Sequence, residues 1–219
     1  MHICTYKDIT KFPPQISVLE SLHGRHYIHR DIKPGNIMIR ADNQTAFLID
    51  FGLAELFRDP ATYIHIRYST DQSRVGTLAF TSINGQQGHA QSRRDDLESL
   101  AYTIIYSALG RLPWSSLSSR GNREAVLQMK LSIAVEDLCE GLPAPFIEFV
   151  KHVRSLRFNE KPDYQYLHSL VSQCSQLEIG FPDEVLSSPT CSSAGSEQGS
   201  SSGSSNESNN MHNASGDSV

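Results

Sequence analysis

The stretch "HRDIKPGNIMI", residues 29–39, places Asp31, Lys33 and Asn36 in one short loop directly before an apolar run. The tripeptide "DFG", residues 50–52, begins nineteen positions after Asp31 and directly follows another short apolar run. Phosphoryl transfer needs a carboxylate to orient the attacking hydroxyl, a cation near the transferred group and oxygen ligands for a metal ion. A single "DFG" has little weight because three residues recur by chance, but both motifs in this order predict a phosphoryl-transfer site.

Hydrophobic periodicity predicts a mostly helical domain. The predicted helices cover residues 15–23, 95–109, 121–132, 144–157 and 163–174. The helix at 95–109 is apolar over most of its circumference, which predicts that it is buried at the centre of the domain. The triplets at 37–39 and 47–49 flank the turn pair Asp42-Asn43 and predict a β-hairpin. Residues 53–81 show little periodicity and predict a long surface loop.

The composition of the last part of the chain differs from that of the rest. Residues 186–219 contain 13 serines and neither Lys nor Arg, which predicts disorder because too little apolar surface can be buried. We therefore divide the chain into a short N-terminal segment (1–14), one folded domain (15–180) and a disordered Ser/Gly/Asn-rich tail (181–219).

Charge and cysteine content narrow the class of protein. The formal net charge is −5, of which Glu197, Glu207 and Asp217 in the tail contribute −3 and leave −2 for the rest. This near balance gives no reason to expect nucleic-acid binding. The four cysteines show no paired spacing, which favours a reducing cytoplasmic or nuclear location. No apolar run approaches membrane-spanning length and no signal peptide is recognisable, so no membrane partner is expected.

Four further motifs identify a resemblance. They are "SIN" (82–84), "QSRRDDLESL" (91–100), "LPW" (112–114) and "RSLRFNEKPDYQYL" (154–167). With the two loop motifs, they make the sequence resemble the C-terminal lobe of a eukaryotic protein kinase of the casein kinase 1 family. The resemblance implies a mainly α fold, namely the large kinase lobe with a small β-hairpin and without the β-rich N-terminal lobe. It also implies ATP-dependent phosphorylation of Ser/Thr in protein substrates.

The resemblance assigns roles to the loop residues. Asp31 would be the catalytic aspartate, and Lys33 would contact the transferred phosphate. Asn36 and Asp50 would bind the cofactor Mg-ATP as the Mg²⁺ ligands. Met38 would form the floor under the adenine, although a core position for this methionine is an equally good interpretation of the sequence. Because Asp31 follows in a loop, it is expected to be exposed and to contribute little to packing.

The resemblance also implies supporting residues. Thr77, in "VGTLAF", would lie on the substrate side and contact the catalytic loop. Asp96, on the predicted central helix, would accept hydrogen bonds from the backbone of the His-Arg-Asp turn. Ala79 stands where relatives have an arginine that binds the phosphate of a primed substrate, which puts recognition of primed substrates in question.

Two histidine interpretations compete with these roles. His23, His26 and His29 have a helix-like spacing that would suit a zinc site, but no cysteine or carboxylate completes a tetrahedral set. His29 could also serve as a general base, whereas the resemblance makes it a packing residue against Phe51. We favour the packing interpretation.

The sequence ahead of His29 departs from a complete kinase. Those 28 residues hold a single glycine, Gly24, and no Val-Ala-Ile-Lys-like strand. We therefore expect a large lobe whose nucleotide face is open, which is inactive alone and which a partner could cover. The alternatives are a non-catalytic, pseudokinase-like binding module and a poorly folding product. Whether the tail acts as a pseudosubstrate or has no task stays open.

Overall fold

The computed structural model describes residues 2–3, 13–40 and 45–174, with side chains from residue 15 onward in these ranges. The helices are α1 (Pro13–Gly24), α2 (Ile83–Gln87), α3 (Arg93–Leu109), α4 (Ser115–Ser119), α5 (Arg123–Ser132), α6 (Val135–Leu138), α7 (Ala144–Ser155) and α8 (Tyr164–Cys174). The predicted long helices are all present, with ends that differ by a few residues. The three short helices α2, α4 and α6 were not predicted, because four or five residues are too few to show a helical period.

The described strands are short, pair antiparallel and all precede α2 in the chain. They are β1 (His2–Ile3), β2 (Tyr27–Ile28), β3 (Ile37–Ile39), β4 (Ala46–Leu48) and β5 (Glu55–Leu56). One sheet has the order β1-β3-β4, and β2 pairs with β5 in a second sheet. The predicted hairpin of β3 and β4 is therefore confirmed, with the second strand one residue earlier than predicted. Its predicted turn pair lies outside the described residues.

The hairpin has a buried face and an outer face. Met38 pairs with Phe47 across the two strands. Their neighbours Ile37, Ile39 and Leu48 are buried, whereas Met38 is half-buried and Phe47 is exposed. Successive side chains of a strand alternate between its faces, so Met38 and Phe47 lie on the face opposite the core.

Helix α3 lies at the centre of the helical core, as its apolar circumference predicts. Leu97, Leu100 and Ile104 have no measurable exposure, and the helix packs against both α1 and α7. Burying one such side chain contributes about 1.5–3 kcal/mol. The helix ends at Leu109 and is capped by Gly110, whose φ of 75° suits glycine and whose N–H donates to the Tyr106 carbonyl.

The segment 53–81 is more ordered than predicted. Its strand β5 pairs with β2, and Phe57 directly after β5 is fully buried. The Phe57 ring lies 6.3 Å from the His23 ring and 4.6 Å from the Arg93 guanidinium carbon. The prediction of a surface loop over the whole segment is therefore wrong, because a two-residue strand gives no periodic signal.

All described residues belong to one compact unit, Met1–Gly180. The predicted tail, 181–219, and most of the predicted N-terminal segment lie outside the described residues. Within the described ranges, no helix combines the length and apolarity needed to cross a membrane. Cys139 and Cys174 are buried free thiols.

Candidate active site

The loop between β2 and β3 carries the first group of candidate residues. Arg30 has a φ of 67°, a left-handed conformation that is costly for a residue with a side chain. Its guanidinium donates to the Leu53 carbonyl at 2.6 Å and forms an ion pair with Glu55. A single 3₁₀ turn, Pro34–Asn36, then leads the chain into β3. The Arg30 contacts at its start and the 3₁₀ turn at its end therefore hold the loop in its shape.

Asp31 accepts hydrogen bonds on both carboxylate oxygens. The backbone N–H and the hydroxyl of Thr77 each lie 2.8 Å from Oδ1. Lys33 Nζ and Asn36 Nδ2 lie 2.6 and 3.1 Å from Oδ2. The carboxylate is only 8% exposed, so the prediction of an exposed Asp31 is wrong. Thr77, which is distant in sequence, covers it.

The hydrogen bonds also set the charge of this group. Burial alone would raise the pKa of Asp31, but the bonds from Lys33 and Thr77 outweigh burial and hold the pKa below its ordinary value. Asp31 is thus an anion at neutral pH, with fixed donors on both carboxylate oxygens. Lys33 Nζ also donates to the Thr77 hydroxyl at 3.0 Å, which places a positive charge beside the carboxylate.

Asn36 directly precedes β3, and Asp50 lies two residues after the end of β4. The N–H of Ile49 donates to the Asn36 carbonyl at 3.0 Å. This bond brings Asp50, the next residue in the chain, close to Asn36. Asn36 Nδ2 donates to the Asp31 carbonyl at 2.9 Å as well as to its carboxylate. Because the amide nitrogen is used in this way, the amide oxygen is the atom of Asn36 that can bind a cation.

The donor set of these two residues fits Mg²⁺. The Asp50 side chain is exposed, and within the described ranges its Oδ1 accepts one long bond, from Gly52 N–H at 3.4 Å. An amide oxygen and a carboxylate are the hard ligands that Mg²⁺ takes, with water and phosphate oxygens in the remaining positions. In the part of the chain that the structure describes, no group of three or more His, Cys, Asp or Glu side chains could hold a metal ion.

Met38 lies on the outer face of the hairpin. Met38 is half-buried there, and its neighbours Phe47 and Ile49 are 37% and 38% exposed. Met38 is therefore not a core residue, and its side chain lies on an open apolar surface next to the loop. This position suits contact with a flat aromatic ligand.

The three histidines have separate partners. His29 Nε2 lies 3.1 Å from the Ile49 carbonyl, and the ring is 5.2 Å from the Phe51 ring, as the packing interpretation predicts. His26 Nδ1 accepts from Arg58 Nε at 2.7 Å. His23 Nε2 lies 2.9 Å from Asp96. These different directions leave no shared metal site among the three rings.

Asp96, at the start of α3, accepts hydrogen bonds from the loop that carries Asp31. Its Oδ2 accepts from His29 N–H at 2.7 Å and its Oδ1 from Arg30 N–H at 2.9 Å, which confirms the predicted contacts. His23 is a further partner that the sequence did not indicate, and Tyr164 Oη lies 2.6 Å from its Nδ1. The carboxylate is 1% exposed. Asp96 thus links α1, α3, α8 and the loop.

Sequence reasoning missed two neighbours of Asp96. Asp95 Oδ1 accepts from the Ser82 hydroxyl at 2.7 Å, and Glu98 Oε1 accepts from Ile83 N–H at 3.1 Å. Complete burial raises the pKa of Asp95 to about 7 against the lowering effect of the Ser82 bond. Both residues stand in the quoted motif "QSRRDDLESL", and both bond the quoted motif "SIN". These two motifs were the signal from which the contacts could have been predicted, but the sequence assigned a role to Asp96 alone.

The segment after Thr77 is fixed by a tryptophan. Trp114, in the quoted motif "LPW", donates from Nε1 to the Ala79 carbonyl at 2.8 Å. Its ring is fully buried and lies 5.0 Å from the Tyr102 ring in an edge-to-face arrangement. Ala79 itself has no side-chain donor for an anion. The backbone of this segment, rather than a side chain at position 79, is what the core holds in place.

Comparison with known proteins agrees with this geometry. Residues 4–177 match the family model of the protein kinase domain. A probable casein kinase I homolog from Encephalitozoon cuniculi (strain GB-M1) is 42% identical over 157 residues, which are 70% of this chain and 52% of that protein. The chain thus spans about half the length of the curated relative that it matches. With its loop, hairpin and central helix in the matched region, the chain belongs to the protein kinase family and is similar there to casein kinase I.

Proposed function

We propose that this chain is the large lobe of a serine/threonine protein kinase of the casein kinase 1 type. It transfers the terminal phosphoryl group of Mg-ATP to a hydroxyl of a protein substrate. The observation that carries the proposal is the Asp31 carboxylate, which is buried, anionic and held by Thr77, Lys33 and Asn36. Such a fixed carboxylate beside a lysine suits an attacking hydroxyl and a phosphoryl group.

In this mechanism Asp31 accepts a hydrogen bond from the substrate hydroxyl and orients its oxygen toward phosphorus. Its low pKa makes it a weak base, so the proton moves to Asp31 late, as the new O–P bond forms and the bond to the leaving oxygen breaks. Lys33, which donates to both Asp31 and Thr77, places its charge where negative charge develops on the phosphoryl oxygens.

Asn36 and Asp50 would hold Mg²⁺, and Met38 would lie under the adenine. Bound Mg-ATP supplies the phosphoryl group and the cation charge that neutralises it. The chain's own contribution is to fix the ligand residues: Asn36 through its bonds to Asp31, and Asp50 through the Ile49–Asn36 backbone bond.

Transfer at this site also needs a cover over the nucleotide. Fixed charges stabilise a transition state far better in a dry site than in water. The 28 residues ahead of His29 contain neither a glycine-rich loop nor a lysine-bearing Val-Ala-Ile-Lys-like strand. We therefore expect efficient transfer only when a second, nucleotide-covering lobe is present.

The test compares the 219-residue chain with a fusion that carries the N-terminal lobe of a casein kinase I homolog. Phosphate transfer from labelled ATP to casein or to an acidic Ser peptide is measured for both. We expect transfer by the fusion only, with losses of about 10²-fold or more in Asp31→Asn and Asp50→Asn. Asp137→Asn, at an exposed aspartate on α6, is the matched control and should retain activity.

Two results would contradict the proposal. An inactive but folded fusion would remove the catalytic assignment, and an active fusion that is indifferent to Asp31→Asn would show that the base is wrong. Transfer by the 219-residue chain alone that disappears in Asp50→Asn would show that no second lobe is needed.

A non-catalytic binding module is the second candidate. It is favoured by the exposed apolar side chains Phe47, Ile49 and Phe51 on the nucleotide side, of which Phe51 is 50% exposed. A surface of this kind suits a partner protein. A thermal-shift titration with Mg-ATP separates the two candidates, since the kinase is stabilised by the nucleotide in the lobe-restored form and the module is not.

A further inference from the structure

Lys130 on α5 is a fully buried lysine, which is rare because the ammonium must be paired to leave water. Its Nζ donates to the Leu78 carbonyl at 2.9 Å, the Thr81 carbonyl at 2.7 Å and Gln86 Oε1 at 3.0 Å. Each of the three ammonium hydrogens therefore has an acceptor. No residue in the mechanism above uses this lysine.

Two aromatic rings complete the surroundings of the ammonium. Nζ lies 5.3 Å from the centre of the Tyr102 ring and 5.2 Å from that of Trp114. Both distances are within the range of cation–π attraction. The charge is thus satisfied on every side by acceptors and ring faces of the core, so its position is fixed.

Two of the three acceptors of Lys130 belong to the segment that covers Asp31, and the third, Gln86, lies on α2. Lys130 bonds the carbonyls of Leu78 and Thr81, and Trp114 bonds the carbonyl of Ala79 between them. Thr77, at the start of the same segment, makes two bonds to the Asp31 carboxylate. A continuous series of direct contacts therefore leads from the buried ammonium to the candidate catalytic carboxylate.

Charged groups on the neighbouring helices also act on the ammonium. Burial lowers the pKa of Lys130 to about 7, Glu98 on α3 favours the charged form, and Arg154 on α7 opposes it. A neutral amine has two hydrogens for the three acceptors that the ammonium satisfies. Loss of the proton would therefore leave one acceptor of this cluster without its bond.

We propose that Lys130 is a positioning residue: its ammonium fixes the backbone of residues 78–81 and thereby keeps Thr77 bonded to Asp31. The catalytic consequence rests on the proposed function, whereas the positioning itself does not. A merely structural lysine would stabilise the whole domain without any selective effect on Thr77.

The test is amide hydrogen exchange, measured by NMR on the 219-residue chain. Thr77 N–H bonds Asp31, and Thr81 N–H bonds the Thr77 carbonyl. Both amides report on the segment, while Leu167 N–H in α8 reports on the core. In Lys130→Met we expect exchange of Thr77 and Thr81 to rise at least tenfold relative to Leu167.

Two further variants sharpen the comparison. Lys130→Arg keeps a charged donor and should restore part of the protection. Lys151→Met removes an exposed lysine of α7 that pairs with Glu136, and it should leave all three amides unchanged. Where Lys130→Met does not fold, Lys130→Gln, which keeps a donating amide, replaces it and should show the same selective rise.

Parallel changes of Thr77, Thr81 and Leu167 in the Lys130 variants would overturn the proposal, because they would indicate global destabilisation alone. In the lobe-restored fusion, Lys130→Met should lower kcat while the KM for ATP stays the same. If no preparation transfers phosphate, the proposed function fails, but the exchange result still decides whether Lys130 positions Thr77.

Discussion

Replacing Asp96 by alanine tests the central contact of the site. The carboxylate accepts hydrogen bonds from His29 N–H, Arg30 N–H and His23 Nε2 at 2.7 to 2.9 Å, in a position that is 1% exposed. Without Asp96, two backbone donors and one ring donor lose their acceptor. Each buried donor without a partner costs about 1–3 kcal/mol. Partial relaxation of the loop reduces the sum for the three donors, so we expect a loss of about 3–5 kcal/mol.

Urea unfolding measures this loss through tryptophan fluorescence. Trp114 is the single tryptophan and is fully buried, so its emission reports unfolding of the core. Asp96→Ala should lower the midpoint without changing the slope, and Asp96→Asn, which keeps one acceptor oxygen, should fall between it and the parent. Glu148→Ala, at a side chain that is 56% exposed, is the control and should stay within about 0.5 kcal/mol. An Asp96→Ala midpoint equal to that of the control would refute the reasoning.

Three other changes follow from the same contacts. Asp31→Ala should cost about 1–3 kcal/mol in urea unfolding, because it leaves Thr77 N–H and other donors unpaired; an unchanged midpoint would support an exposed carboxylate. The pKa of Asp95 is raised from 3.8 to about 7, so the folded state binds this proton more tightly. Its contribution to stability is then complete below about pH 4 and is lost as the pH rises through 7. Asp95→Asn should flatten the stability profile between these values, and an equally steep profile would contradict the assignment. Trp114→Phe should lower stability by about 1 kcal/mol in thermal circular dichroism through the lost bond to Ala79, whereas an unchanged melting temperature would mean that this bond contributes nothing.

Elements with a local pattern could be predicted from the sequence. The burial of α3 follows from the apolar residues around its circumference, and the hairpin follows from two apolar triplets separated by turn residues. The bonds of Asp96 to the loop could be predicted because the family resemblance connects two motifs that are far apart in sequence. Such features can be predicted because a residue's position in a motif or in a hydrophobic period determines them.

Buried polar contacts between distant segments could not be predicted. The sequence alone places Asp31 in a loop, and only the fold brings Thr77 over it. Asp95, Glu98 and Lys130 are charged residues, which a pattern of hydrophobicity assigns to solvent. In the structure all three are buried, since each finds donors or acceptors in a segment that no local period connects to it.

The acidic residues at the start of α3 hold two loops in a fixed position relative to each other. Asp96 holds the backbone of the loop that carries Asp31, while Asp95 and Glu98 hold Ser82 and Ile83, which follow the segment that carries Thr77. Because α3 is packed in the core on nearly all sides, both loops are anchored to the same rigid element. In the proposed reaction, the Thr77–Asp31 bonds would therefore be in place before the substrate binds, and these hydrogen-bond donors would not have to reorganise. A change that tilts α3 should disturb both loops together, whereas a change at Lys130 should disturb only the segment of Thr77.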